Sequence, residues 1–144
     1  MSDKLPIEVA IAILPFEGKF LMQLRDNIPT ILYPGLWGLF GGHIEAGETP
    51  EVAVEREVLE EIGYQLTSPK KFACYSDDRV IRHIFYAPLT VDLDKLVLTE
   101  GWDFGLISHA QIEAGCAYSA IAGEERPLGP VHQQIMLDFI EWWS

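Results

Sequence analysis

Apolar residues along this chain fall in short runs, and the changing period of those runs marks its elements. Residues 7–14, Ile-Glu-Val-Ala-Ile-Ala-Ile-Leu, are β-branched and end at Pro15, which predicts a largely buried strand. A turn at Glu17-Gly18-Lys19 and a second strand over Phe20–Leu24 predict a hairpin. Arg25 and Asp26 close it, and residues 27–35, with Pro29, Pro34 and Gly35, read as a loop. Leu36-Trp37-Gly38-Leu39-Phe40 reads as a brief strand whose glycine signals close approach by a neighbour or ligand, and Gly41-Gly42 breaks it.

The next helix is the most clearly bounded element. Thr49 is placed to cap it, Pro50 takes its first position, Glu51 lies in the first turn, and Gly63 ends it, so it spans about residues 50–62. Residues 64–76 read as a strand interrupted at Ser68-Pro69, Asp77-Asp78 as a turn, and 79–91 as a long strand with Pro88 at an edge or bulge. Residues 92–100 read as loop, Trp102–Ile107 as a strand, and Ser108 as the cap of a short helix to Glu113. A mixed loop follows to Pro130. Val131–Trp143, with Ile135, Phe139 and Trp142-Trp143 at helical spacing, predicts a terminal amphipathic helix. Strand pairs followed by single helices predict an α/β fold, a mixed sheet between helical layers.

The 50–62 helix carries an electrostatic conflict. Glu57, Glu60 and Glu61 fall within an arc of about 100°, with Arg56 beside them and Val58, Leu59 and Ile62 turned to the core side. Like charges at these spacings destabilise a bare helix by a few tenths of a kcal/mol per close pair. Clustered carboxylates on a rigid element are what Mg²⁺ or Mn²⁺ sites use, commonly with substrate phosphate oxygens. A solvated acidic face is the alternative. The Gly41-Gly42 turn can bring a backbone carbonyl against the same metal, and Arg56 can hold Glu48 in a bidentate pair that ties loop to helix.

Composition sets the frame. The chain has 144 residues and a mass of 16.2 kDa, expected to fold as a single domain over 1–144. A net charge of −12, with Glu48, Glu51, Glu57, Glu60 and Glu61 crowding one stretch, argues against binding nucleic-acid polymers. Cys74 and Cys116 match no metal or redox spacing and read as thiols in a reducing compartment. The start, Met1–Pro6, lacks the plan of a secretory signal, and no apolar run approaches the roughly 20 residues of a membrane span, so a cytoplasmic protein is expected.

Gly42, five residues, Glu48, seven residues, then Arg56-Glu57-Val58-x-Glu60-Glu61-x-Gly63 resembles the Nudix box, with Tyr64 at its usually aliphatic last position. The resemblance to the Nudix family implies an α/β/α Nudix fold and Mg²⁺ (or Mn²⁺)-dependent hydrolysis of a phosphoanhydride in a nucleoside diphosphate derivative. It implies metal ligation by Glu57, Glu61 and the Gly42 carbonyl, with Glu60 as a further ligand or the base that activates water. Arg56 is grouped with Glu60 in the catalytic set. Glu100-Gly101 resembles a late Glu-Gly pair of some MutT-type members, which makes Glu100 a second candidate base or ligand, and Arg25 resembles a position near their substrate. Phe40 stands where those members usually have proline, and residues 119–127 hold no asparagine to read an oxidised guanine. A homodimer is also in keeping with the family.

Other residues are weighed on their own. Arg82 or Arg79 can meet phosphate, but Arg82 and His83 point to opposite faces of their strand. Trp37, Trp102 and Tyr118 can stack on a base or fill the core. Trp142-Trp143 anchors the last helix or a subunit interface, His109 and His132 read as surface residues, and His43 carries little weight. A nucleotide-sugar-sensing domain without catalysis is the rival. The intact box weighs against it, and no attached DNA-binding segment is expected.

Overall fold

The computed structural model describes residues 5–31 and 34–143. Met1–Lys4 of the N-terminal segment, and Leu32 and Tyr33 of the expected 27–35 loop, lie outside the described residues, as does Ser144.

Strand β1 (Ile7–Ile13) is the hub, pairing antiparallel with β5 (Phe40–His43) and parallel with β7 (Val80–Tyr86), which in turn pairs antiparallel with β6 (Lys70–Ser76). This is the mixed sheet. A second, antiparallel sheet holds β2 (Pro15–Phe16), β3 (Lys19–Leu24), β4 (Trp37–Gly38) and β8 (Asp103–Ile107), with β3 between β4 and β8. The helices are α1 (Pro50–Ile62), α2 (His109–Ala114) and α3 (Pro130–Trp143).

Alternation along β1 builds both helical layers. Ala10, Ala12 and Leu14 meet Val54, Val58 and Ile62 of α1 on one face, while Ile11 and Ile13 join Ile112 of α2 and Ile135, Met136 and Phe139 of α3 on the other. The result is an α/β/α sandwich. Phe139 seals the α3 side, its ring 5.2 Å from Phe72 and 4.8 Å from Trp143. Trp142 and Trp143 stack on Tyr86 and thus anchor α3, although about half of each stays exposed.

Local signals set α1 as expected. Thr49 Oγ1 accepts from the Val52 N–H at 3.2 Å, Pro50 opens the helix, and Gly63 closes it at φ 68° with its N–H on the Leu59 carbonyl. Leu59, expected to face the core, is 46% exposed, because the buried stripe runs through Ala53, Val54, Val58 and Ile62.

Other expectations shift where distant pairing decides. The hairpin forms between β2 and β3, through a turn with Glu17 at φ 49° and Gly18 at φ 80°, while β1 leaves for the other sheet. Gly41 and Gly42 do not break a strand. They lie inside β5, where Gly42 pairs with Ala10. Residues 64–69 are not strand, since the Tyr64 hydroxyl donates to the Pro88 carbonyl and accepts from the Thr90 N–H, pinning an irregular segment to the core. The 79–91 strand stops at Tyr86, ahead of Pro88. Residues 92–100 include one 3-10 turn, Leu93–Lys95. The expected 115–130 loop contains a hairpin of β9 (Cys116–Ser119) and β10 (Glu124–Pro127).

Candidate active site

The C-terminal half of α1 lies beside β5, and Arg56 joins the two. Its Nε donates to Glu48 Oε2 at 2.7 Å and its Nη2 to Glu48 Oε1 at 2.9 Å, a bidentate pair. Nη2 also donates to the His43 carbonyl at 3.0 Å, and Nη1 to Glu57 Oε1 at 3.0 Å and Glu60 Oε2 at 3.4 Å. The guanidinium beside Glu48 holds that carboxyl down at about 2, helped by the Glu45 N–H. One arginine therefore sets the loop, the start of the box and two helix carboxylates in register. Replacing Arg56 by Lys keeps the charge and loses the fork. Any metal-dependent turnover at this site is expected to fall on the order of 10- to 100-fold, the effect of losing an outer-shell partner of a metal ligand. A rate within twofold of wild type would show that the fork is dispensable.

Glu61 points inward. The Gly41 N–H donates to its Oε1 at 3.0 Å, yet burial pushes this carboxyl up to about 8, with Glu57 and Glu60 nearby adding to the rise. Gly42 is stricter still: a Cβ there would lie 2.5 Å from the carboxyl carbon of Glu57. Backbone and carboxylate thus share a space that only glycine leaves open.

These residues suit a hard divalent cation. Glu57, Glu60, Glu61 and the backbone of Gly42 offer oxygen donors alone, and a cation beside the buried Glu61 carboxyl would favour its ionised form. Among the described residues no three His, Cys, Asp or Glu side chains stand as a formed metal cluster. Arg56 stands between the carboxylates and engages Glu57 and Glu60. It bonds one oxygen of each, Glu57 Oε1 and Glu60 Oε2, which leaves the second oxygen of each carboxylate for a cation.

From Gly41 and Gly42 a cleft of about 400 Å³ opens across the sheets to the start of α3. Val9, Ile11 and Leu39 line its apolar wall, while Arg25 at the end of β3 and Arg82 on β7 enter it from opposite sheets. Arg82 also pairs with Asp77 at 3.2 Å. His83, on the other face of β7, bonds Glu8 at 2.9 Å away from the cleft. Arg79 is exposed at the preceding turn.

Glu100 is exposed in the segment before β8. Thr99 ties that segment to α1: its N–H donates to the Glu61 carbonyl at 3.0 Å and its hydroxyl to the Glu60 carbonyl at 3.0 Å. Glu100 is thereby held next to the helix end that carries Glu60 and Glu61. Thr99 had no sequence signal, since its role exists only once the two segments meet.

His132 corrects its reading as a surface residue. It is half-buried at the first turn of α3, lines the cleft, and its Nδ1 accepts from the Leu39 N–H at 2.7 Å. The close approach signalled by Gly38 is this ring, 3.1 Å from where a Cβ would stand. His109 is exposed as expected, beside Glu113. Among the aromatics, Trp37 is core with its indole N–H on the Ala117 carbonyl, Trp102 is covered by the Arg126 guanidinium at 5.8 Å, and Tyr118 is exposed.

Comparison with known proteins adds the family. The NUDIX domain model matches residues 4–114. A Bacillus subtilis protein named for 8-oxo-dGTP diphosphatase activity is 30% identical over 82 residues, covering 56% of this chain and 51% of that protein. The nucleoside triphosphatase NudI of Enterobacter sp. is 47% identical over 51 residues, 34% of this chain and 36% of that protein. The matched stretches thus span between about a third and a half of these relatives' lengths. The crystal structure of a MutT NUDIX hydrolase from Burkholderia pseudomallei superposes with a TM-score of 0.71 at 21% identity, over 94% of this chain and 98% of that one, a likeness of fold.

Proposed function

The chain belongs to the NUDIX domain family, and on that premise we propose that it hydrolyses a phosphoanhydride bond in a nucleoside diphosphate derivative with Mg²⁺ or Mn²⁺. We take residues 1–144 as one such domain, working in the cytoplasm on a small nucleotide. The observation that carries the reading is the meeting of Gly42 with the Glu57 carboxylate where Gly42 lines a cleft holding Arg25 and Arg82.

Glu57 and Glu61, with Glu60 and the Gly42 carbonyl, would hold the ion. The chemistry such an ion would supply there is a coordinated water of lowered pKa and positive charge against the charge that builds on phosphate as phosphorus is attacked. Arg56 orients Glu57 and the Glu48 loop. Glu60, 61% exposed, and Glu100 are the two bases with solvent access to a nucleophilic water. Arg25, whose charge reaches Glu61, offsets phosphate charge, while Arg82, beside His132 and the start of α3, contacts the rest of the nucleotide.

Phosphate release after phosphatase coupling, with and without EDTA, tests the reading. The panel runs over NTPs and dNTPs first, the class in the relatives' names, then nucleotide sugars, ADP-ribose and dinucleoside polyphosphates. Metal-dependent product is expected. No product across the panel would overturn the proposal in favour of a sensing domain. Within it, Glu100→Gln is expected to lower kcat on the order of 10²-fold or more, in keeping with loss of a general base. An unchanged kcat would leave Glu100 as a surface acid. A net charge of −12 weighs against nucleic-acid polymers, and among the described residues no helix is long and apolar enough to cross a membrane. We propose a homodimer on family grounds.

A further inference from the structure

We propose that His132 is a specificity-determining residue, a fixed Nε2–H donor that reads a carbonyl oxygen on the base of the bound nucleotide. The inference rests on the nucleotide reading of the cleft but not on hydrolysis.

The proton's position follows from geometry. Leu39 lies at the seam where the chain passes from β4 in one sheet to β5 in the other. Its N–H donates at 2.7 Å to His132 Nδ1, which must therefore be the unprotonated nitrogen of the ring. A neutral imidazole with Nδ1 as acceptor carries its hydrogen on Nε2. Burial, with Arg82 and Arg25 nearby, holds this imidazole down at about 4, so it stays neutral at physiological pH. Gly38 leaves room for the ring, and the N-terminal turn of α3 fixes its backbone.

Nε2 faces the cleft. The ring lines the cleft, and the only buried side-chain nitrogen or oxygen without a hydrogen bond among the described residues is His83 Nδ1. Nε2 has no bond to the described residues, so it is open to the cleft. Arg25 and Arg82, the charged side chains in the same space, can only donate. Gly41 and Gly42 line the cleft beside the carboxylate helix, which suits phosphates, and His132 lines it with Gly129 and Val131 at the start of α3, away from those carboxylates, which leaves that part for a base. A donor in that part meets the 6-oxo or 4-oxo oxygen of a base favourably and opposes an amino group. Binding an amino-edge base would leave Nε2–H facing another donor, a mismatch that disfavours the complex by about tenfold or more.

The test uses non-hydrolysable triphosphate analogues in two pairs that differ at this edge, inosine against adenosine and uridine against cytidine. Binding to the full chain is measured by calorimetry with Mg²⁺. Wild type is expected to bind the oxo member about tenfold tighter. His132→Asn keeps an acceptor for Leu39 but does not reach the base, and is expected to bring each pair within about twofold, the oxo members weakening as they lose a donor and the amino members tightening as the donor–donor mismatch is relieved. His132→Gln, which restores a donor at that reach, is expected to recover part of the preference. Preference in one pair only, lost in the Asn variant, still supports the proposal and sets the ring size. Equal binding within both pairs by wild type overturns it, as does a preference that survives in Asn, or equal loss of all four affinities. Wild type that binds with oxo preference but releases no phosphate would overturn the hydrolytic reading alone. No binding of any analogue overturns both.

Discussion

Glu61→Gln is expected to abolish turnover while raising the melting temperature of the metal-free protein. The two effects share a cause, the burial of a carboxylate at the end of α1. Loss of this proposed metal ligand is expected to cost several kcal/mol of transition-state stabilisation, on the order of 10³-fold or more in rate. Folding sees the opposite sign. Burial pushes the Glu61 carboxyl up to about 8 in the folded chain, against an ordinary value of 4.5. Between those values the folded state binds more protons than the unfolded one, so stability falls as pH rises from about 4.5 to about 8. At neutral pH the buried carboxyl therefore weakens folding by on the order of a few kcal/mol, the cost of taking up a proton that the unfolded chain has released. Gln removes that pH slope. Melting scans of metal-free wild type and variant from pH 5 to 8 should diverge as pH rises, with added Mg²⁺ stabilising wild type alone. Glu57→Gln is expected to lose turnover as fully but to melt near wild type, because Glu57 is paired with Arg56 at 3.0 Å. Retained turnover in both variants would sink the metal assignment.

Adding one methyl group at adjacent glycines is expected to produce two different failures. At Gly42 the new Cβ meets the Glu57 carboxylate, 2.5–2.6 Å away, and that carboxylate is the end of a flexible side chain that can swing aside. Gly42→Ala should fold, yet displace a proposed ligand by about the 1 Å that can cost 10²-fold in rate. At Gly41 the Cβ overlaps the Ala10 carbonyl oxygen and lies 2.8 Å from the Ile11 Cα, in a backbone at φ 151°. No rotamer relieves that. Gly41→Ala should lose on the order of 3 kcal/mol or more, about 10 °C in Tm. Rate and Tm for both variants decide the matter: full activity in Gly42→Ala, or an unchanged Tm in Gly41→Ala, would contradict the register of β5 on β1.

The contrast between these neighbours shows where pattern reading stops. From the chain alone, Gly41 and Gly42 are one flexible turn. Their separate duties come from pairing with Ile11 and Ala10 on β1, some thirty residues earlier. β9 and β10 were missed for a related reason: each has four residues, too few to display alternation, and they are recognisable only as partners. Arg25 and Arg82 were legible as candidates, but two strands in different sheets had to converge before they faced one cleft. His132 offered no signal, since its defining bond joins residues 93 positions apart.

What this sequence determined by itself is local. The cap at Thr49, the proline after it, the glycine stop at Gly63 and the carboxylate spacing between them define α1 and the Arg56–Glu48 fork within 23 consecutive residues, through short-range geometry that needs no other part of the chain. Tertiary structure alone decided the environment: which carboxylate is buried, which glycine abuts it, and which cations and imidazole share the cleft. Burial and desolvation depend on everything packed around a group, so the chemistry of Glu61 and His132 exists only once the sheets and α3 have closed around them.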